Sequence, residues 1–76
     1  MDYTIYLKSI EDIQDFIQST NNFTSDFDLF SGRYIVDGKS IMGVLSLDLS
    51  KPIHVKVHVK NDESNEIQNV MNKYTV

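Results

Sequence analysis

Residues 38–47 read Gly38-Lys39-Ser40-Ile41-Met42-Gly43-Val44-Leu45-Ser46-Leu47. Ser40 stands directly before an apolar run. A serine in this place can cap a helix, because its hydroxyl oxygen accepts a hydrogen bond from an unpaired amide of the first turn. We therefore predict a short helix that begins after Ser40 and continues to about Leu47. Pro52 prevents any further helical continuation.

Upstream of this stretch the sequence predicts a strand and a longer helix. Apolar and polar residues alternate over residues 3–8, which is typical of a strand with one buried face. Ser9, with Asp12 three residues later, resembles the start of a capping box and predicts a helix over residues 10–20. The apolar stripe of this helix is expected to comprise Ile10, Ile13 and Ile17.

A β-hairpin follows the first helix. Phe27 and Leu29 alternate with acidic residues in the predicted second strand. Turn residues 31–33 separate it from residues 34–36, whose aromatic and β-branched side chains favour a returning strand. Residues 37–39 then break the strand before the second helix.

Downstream, residues 53–60 show the clearest strand pattern in the chain, because isoleucine or valine alternates there with histidine or lysine. Residues 61–64 are predicted to supply the cap and the acidic first turn of a third helix. The apolar stripe of that helix comprises Ile67, Val70, Met71 and Tyr74.

The predicted order of elements is therefore βαββαβα. Alternating strands beside helices with one apolar stripe favour a single antiparallel sheet that has helices on one face and solvent on the other. We predict an α+β open-faced sandwich in which three helices cover one face of a four-stranded sheet. The 76 residues are expected to form a single domain, residues 1–76.

Two segments carry a family resemblance: Lys39-Ser40-Ile41-Met42-Gly43 and Phe23-Thr24-Ser25-Asp26. The segment around Ser40 is similar to the regulatory-serine segment of HPr, the small phosphocarrier of the phosphoenolpyruvate-dependent sugar phosphotransferase system. The segment that begins at Phe23 resembles the phenylalanine-x-serine start of strand two in that family. The resemblance covers nearly the whole chain, is strongest over residues 16–47, and implies the HPr fold.

The resemblance also implies a role for Ser40. A dedicated kinase modifies the matching serine in the family, so Ser40 is the expected site of regulatory phosphorylation. A phosphoserine there would place a near-dianion at the positive end of a helix, where it gains charge-assisted hydrogen bonds. This role is compatible with the capping role.

The second helix carries more apolar residues than one stripe can bury. Some of them are expected to face outward, and exposed apolar clusters mark partner surfaces. In HPr the matching isoleucine and methionine contact enzyme I, sugar-permease domains and regulators, and methionine can adapt to several partners. We therefore predict partner binding by Ile41, Met42 and Leu45.

The carrier histidine of the family is missing. In HPr it lies in a threonine-glycine-x-histidine-alanine-arginine-proline loop before the first helix, where helix amides and the arginine hold the phosphoryl group. Residues 8–12 occupy this place and include no histidine, arginine or proline. Glu11 and Asp12 would instead repel a phosphate. We therefore expect no phosphoryl transfer through histidine, no enzymatic activity and no cofactor.

Other candidate sites are weak on chemical grounds. His54 and His58 lie about 13 Å apart along a strand, which is too far to share one metal ion. The run 38–40 matches the end of a P-loop, but Arg33 stands where that motif needs glycine. The first helix carries the carboxylates of Glu11, Asp12 and Asp15. We interpret them as charges that complement the helix dipole and form its solvated face rather than as an acid–base site.

Composition restricts the remaining classes of function. The chain has no cysteine, which excludes disulfides and thiolate metal sites. Its formal net charge of −4 opposes binding to nucleic acid. Without an apolar run of membrane-spanning length or a signal-peptide pattern, we expect a cytoplasmic protein that does not insert into membranes.

The sequence favours an HPr-like regulatory or binding module that acts through the surface around Ser40. Its expected partners are proteins, namely sugar phosphotransferase components, a serine kinase or a transcriptional regulator. The alternative is a structural or assembly subunit that pairs through an edge strand or the exposed sheet face. An active phosphocarrier with a displaced histidine is a third and weaker interpretation.

Overall fold

The computed structural model describes all 76 residues. Strands and helices follow one another in the predicted order βαββαβα. They are β1 (Asp2–Ile5), α1 (Ile10–Asn21), β2 (Asp26–Ser31), β3 (Tyr34–Asp37), α2 (Ile41–Leu45), β4 (Ile53–His58) and α3 (Ser64–Met71). None of the helices combines the length and the apolar character that crossing a bilayer requires.

The four strands form one antiparallel sheet in the order β1-β4-β2-β3. β4, the strand with the clearest alternation, lies inside the sheet, where Val55 pairs with Tyr3 of β1 and with Leu29 of β2. Its apolar side chains are buried and its histidines and lysine are exposed, residue by residue. The alternation is clear because both edges of β4 are paired with other strands. Its side chains therefore differ in exposure only according to the face of the sheet on which they lie.

A single cluster of 15 buried apolar residues lies between the sheet and the helices. Phe16 of α1, Phe27 of β2 and Ile67 of α3 have no exposed surface. The Phe16 ring also meets Tyr74 edge to face, with 5.7 Å between the ring centroids. Because all three helices contribute to this one cluster, they cover the same face of the sheet, as an open-faced sandwich requires.

Ile10 departs from the predicted apolar stripe of α1. The buried residues of the helix are Ile13, Phe16 and Thr20, whereas Ile10 is 64% exposed. Helical spacing places Ile10 on the same side as Ile13, but it is the first residue of the helix and no neighbouring element covers it. Residue spacing alone does not predict how far along α1 the neighbouring elements bury its apolar side.

Four elements end earlier than predicted. α3 ends at Met71, so Tyr74, expected in its apolar stripe, lies in the turn that follows and is buried from there. β1 ends at Ile5, although Leu7 beyond it is still buried. α2 ends at Leu45, where the Ser46 hydroxyl donates a hydrogen bond to the Gly43 carbonyl and closes the last turn.

β4 ends at His58 rather than at Lys60. Soon afterwards Asn61 and Asp62 adopt left-handed backbone angles, with φ values of 55° and 57°. Two such residues reverse the chain sharply, so the strand cannot continue through them.

The predicted cap of α3 is wrong in its chemistry. Glu63 occupies the N-cap position, but its side chain makes no capping hydrogen bond. Its carboxylate instead accepts hydrogen bonds from the amides of Thr24 and Ser25 at 2.9–3.1 Å and from the Ser25 hydroxyl at 2.7 Å. The Ser25 hydroxyl in turn accepts from the Lys60 amide at 2.8 Å. These bonds tie the start of β2 to the start of α3.

This arrangement changes the acidity of Glu63. Partial burial raises the pKa of its carboxyl, but hydrogen bonds from Ser25 and Thr24 outweigh that effect and lower the pKa from 4.5 to about 2. A carboxylate whose pKa is lower in the folded chain stabilises the fold at pH values above its unfolded pKa. That contribution is lost as the pH falls through the folded value.

We predict that Glu63→Gln destabilises the protein most above about pH 5, and that the deficit narrows as the pH falls towards 2, because the wild-type carboxyl then becomes protonated. Denaturant melts of both proteins across this range test the prediction. Glu66→Gln, in the exposed first turn of α3, is the matched control. A Glu63→Gln deficit that does not change with pH would contradict the assignment.

Candidate functional site

Two side chains accept hydrogen bonds from backbone amides at the N-terminus of α1. The Ser9 hydroxyl accepts a hydrogen bond from the Asp12 amide at 3.1 Å, and the Asp12 carboxylate accepts one from the Lys8 amide at 3.2 Å. Glu11 adds a second negative charge to the same turn. The predicted Ser9 cap is confirmed, but the Asp12 carboxylate accepts from Lys8 rather than from the Ser9 amide that completes a capping box. The carboxylates of this turn oppose the binding of an anion here.

The two histidines lie on the other face of the sheet. Nε2 of His54 is 3.1 Å from the Asp2 carboxylate, and Nε2 of His58 is 2.9 Å from the Asp28 carboxylate. The His54 ring also packs against Phe30, with 5.7 Å between ring centroids. Each histidine is therefore engaged by an acidic residue of a neighbouring strand, and the sheet separates both from the helix N-termini.

Two carboxylates of α1 act on the neighbouring Tyr74. Burial raises the pKa of Tyr74, and the negative charges of Asp15 and Asp12 raise it further. The Tyr74 hydroxyl is therefore protonated at neutral pH.

The segment before α2 is fixed beneath the end of α1. The Gly38 amide donates to the Phe27 carbonyl at 2.7 Å, and the Gly38 carbonyl accepts from the Thr20 hydroxyl at 2.9 Å. The side-chain amide of Asn21 donates to the Lys39 carbonyl at 3.0 Å. The sequence did not single out Thr20 and Asn21, because polar residues near a helix end are usually interpreted only as stop signals.

Gly38 is required by packing. A Cβ atom at this position would lie 2.7 Å from Cδ1 of Leu29 and 2.8 Å from Cβ of Phe27. Such distances are shorter than carbon atoms tolerate, so only glycine permits this approach. The residues that resemble a P-loop are therefore a strand, β3, followed by a glycine pressed against β2, and they form no phosphate cradle.

Ser40 caps α2 as predicted. Its hydroxyl accepts a hydrogen bond from the Gly43 amide at 3.2 Å, and its carbonyl accepts one from the Val44 amide at 2.9 Å. Ser40 is partly exposed. Its side chain thus satisfies one unpaired donor of the helix while remaining near solvent.

The apolar residues of α2 divide into two sets. Val44 is fully buried, and Leu47 beyond the helix is nearly so. The exposed set, which we term the α2 surface, consists of Ile41 (43% exposed), Met42 (75%) and Leu45 (46%). The expectation that this helix turns apolar side chains towards solvent is confirmed. That these residues bind a partner stays a prediction.

One open cleft of about 470 Å³ lies between the β2–β3 turn and the segment after α2. Arg33, Tyr34, Ser46 and Lys51 are among its lining residues. Neither Ser40 nor the α2 surface lines it, so the cleft is separate from the candidate site.

Comparisons with known proteins agree with this geometry. The family model described as the PTS HPr component phosphorylation site matches residues 12–75. The match therefore includes Ser40 and the α2 surface but begins after residues 8–11. Comparison with curated proteins gives no significant match.

Two solved structures resemble this chain throughout. HPr-C-His from Thermoanaerobacter tengcongensis has 22% sequence identity and a TM-score of 0.77, over 96% of this chain and 88% of that one. The phosphocarrier protein HPr from Bacillus anthracis str. Ames has 21% identity and a TM-score of 0.78, over 99% of this chain and 94% of that one. At this level of identity the likeness establishes the fold.

We predict that Ser40→Ala lowers the free energy of unfolding by roughly 0.5–2 kcal/mol, because the Gly43 amide loses its acceptor. Denaturant melts measure the effect. Ser64→Ala is the control, since Ser64 is an exposed residue at the start of α3 but does not occupy the cap position of that helix. An unchanged midpoint together with an unchanged slope would show that Ser40 does not stabilise α2.

Proposed function

This chain belongs to the HPr family, and we propose that it is a regulatory or binding member that does not carry phosphate on histidine. Proteins of this family carry phosphate without being enzymes. The observation that carries the proposal is the contrast between two helix N-termini. Residues 8–12 at the start of α1 include no histidine and carry acidic side chains, whereas α2 has a capping serine beside exposed apolar side chains.

The first half of the proposal is supported by the start of α1. A phosphohistidine needs an imidazole next to free amide donors and a basic partner. At this position the Asp12 amide is already bonded to Ser9, and the carboxylates of Glu11 and Asp12 add negative charge where a basic partner would be needed. His54 and His58 lie on the solvent face of β4, where Asp2 and Asp28 engage them.

The second half is supported by the α2 surface. Three neighbouring apolar side chains of one short helix are 43–75% exposed, and Met42, the most exposed, has a flexible side chain that adapts to different partners. Burying such a cluster against another protein would remove apolar area from water. The α2 surface is therefore the proposed binding site.

Ser40 is the proposed switch of this site. Phosphorylation would place close to two negative charges at the N-terminus of α2, directly before Ile41. The helix dipole favours that charge, whereas a partner that buries the apolar α2 surface would have to desolvate it. A phosphorylated Ser40 would therefore change partner choice without refolding the domain.

The proposed partners are proteins of the cytoplasm: sugar phosphotransferase components, a serine kinase or a transcriptional regulator. The alternative function, a structural or assembly subunit, draws on a different part of the molecule. It is favoured by β3, an edge strand on which Tyr34 and Ile35 are 68% and 61% exposed.

We predict that phosphoenolpyruvate and enzyme I leave this protein unlabelled, because no histidine stands at a helix N-terminus. The measurement is acid-labile phosphate after incubation, with a histidine-containing HPr labelled in parallel as the positive control. Acid-labile phosphate on His54 or His58 would overturn the proposed loss of carrier function.

We predict that the double variant Ile41→Asp/Met42→Asp remains folded, because neither side chain belongs to the buried core. The same variant should lose binding to purified phosphotransferase components or to a regulator that binds the wild type. Ser40→Asp should weaken that binding to a smaller extent through charge alone. Circular dichroism and binding are measured on the same protein.

The control for this experiment is Val76→Asp, which also places a charge at an exposed apolar position, 73% exposed, but at the chain's end. It should leave binding unchanged. A folded Ile41→Asp/Met42→Asp protein that still binds its partner would refute the α2 surface as the binding site.

A further inference from the structure

The two outer edges of the sheet differ. The edge of β1 is covered by the last residues of the chain, because the Tyr6 amide donates to the Tyr74 carbonyl at 2.8 Å and the Val76 amide donates to the Thr4 carbonyl at 3.2 Å. β3 forms the opposite edge, and no strand or tail pairs with its outer side. The sheet therefore has one covered edge and one open edge.

The hydrogen bonds of β3 show which of its backbone groups are free. The Gly38 amide donates to the Phe27 carbonyl of β2, and the strand register pairs Val36 with Leu29. In an antiparallel ladder alternate residues bond to the same neighbour. The amide groups of Ile35 and Asp37 therefore point away from β2, towards solvent.

The side chains of β3 do little to protect this edge. Natural edge strands are usually blunted by lysine, proline or a bulge. β3 reads Tyr34-Ile35-Val36-Asp37, with no lysine and no proline, and its first two side chains are more than 60% exposed. Its only protection is its shortness and Asp37. Such an edge is a template for another strand.

We infer that β3 pairs with β3 of a second copy of this chain, antiparallel and with a two-fold axis at Ile35. Residues opposite each other in a sheet share a face, so a symmetric pair must be centred on a residue and not between two residues. Centring on Asp37 would oppose two carboxylates, and centring on Tyr34 or Val36 would place a charged side chain, that of Arg33 or Asp37, opposite the apolar Ile35. Ile35 remains, with its amide and carbonyl bonding to those of the partner's Ile35.

Charge complementarity supports this register. With Ile35 at the centre, Arg33, which lies in the turn directly before β3, comes beside the partner's Asp37, and symmetry repeats that pair on the other side. Arg33 is the chain's only arginine, is exposed and makes no ion pair within the chain. One oxygen of Asp37 accepts from the Lys39 amide at 2.9 Å, which leaves its other oxygen for an arginine.

The pairing does not rest on the proposed function, since Ser40 and the α2 surface take no part in it. It extends the four-stranded sheet to a continuous sheet across two copies. Only a short strand is contributed by each, so the interface falls in the small class and the dimer should be concentration-dependent.

Sedimentation equilibrium of the full chain tests the inference. We expect the apparent mass to rise from the monomer towards twice that value between about 10 μM and about 1 mM. Ile35→Lys should remain monomeric throughout, whereas Val76→Lys, a matched change beside the covered edge, should behave as wild type. A wild type that stays monomeric, or a dimer that Ile35→Lys leaves intact, overturns the inference.

Charge reversal tests the register. Arg33→Asp and Asp37→Arg should each weaken dimerisation more than about tenfold, because each opposes like charges twice. An equimolar mixture of the two should restore a heterodimer in which every pair is again complementary. A mixture that remains monomeric overturns the register.

Circular dichroism first establishes that these variants are folded. If Asp37→Arg is not folded, Ile35→Pro replaces it. Proline there removes the outward amide and leaves the bonds to β2 intact, so a monomer supports the pairing and a dimer contradicts it.

Discussion

The close approach of Gly38 to β2 is the constraint on which the position of α2 depends. Because this residue has no Cβ, the link from β3 to α2 lies flat against Phe27 and Leu29. Its carbonyl then comes within reach of the Thr20 hydroxyl of α1. The helix starts three residues later, and the bonds of Gly38 fix its orientation about its own axis. Val44 therefore faces the core and the α2 surface faces solvent.

The N-termini of α1 and α2 are built alike but differ in charge. Both are capped by serine through the same hydrogen bond to the third amide. They differ in charge, because α1 has acidic residues in its first turn and α2 has none. Only the N-terminus of α2 can accept an added phosphate without like-charge repulsion, which is the physical basis for proposing Ser40 rather than a histidine as the modified residue.

Local chemistry could be predicted from the sequence, whereas relations between distant segments could not. The serine caps of α1 and α2 and the alternation of β4 depend on residues within one turn or one strand, and they were predicted correctly. The sequence predicts Glu63 as part of a cap, because its partners in the structure, Thr24 and Ser25, are remote in sequence. The order of the strands in the sheet could not be predicted for the same reason, since the alternation within a strand does not indicate which strands are its neighbours.

The contact between Glu63 and the residues before β2 allows the detachment of α3 to be distinguished from the opening of the sheet. The amides of Thr24 and Ser25 are bonded to a side chain of the α3 cap position, and not to a neighbouring strand. Their protection against hydrogen exchange therefore reports the docking of α3, whereas the amides of β2 and β4 report the sheet itself. Exchange at these two adjacent positions would show whether the last helix can detach while the sheet stays intact.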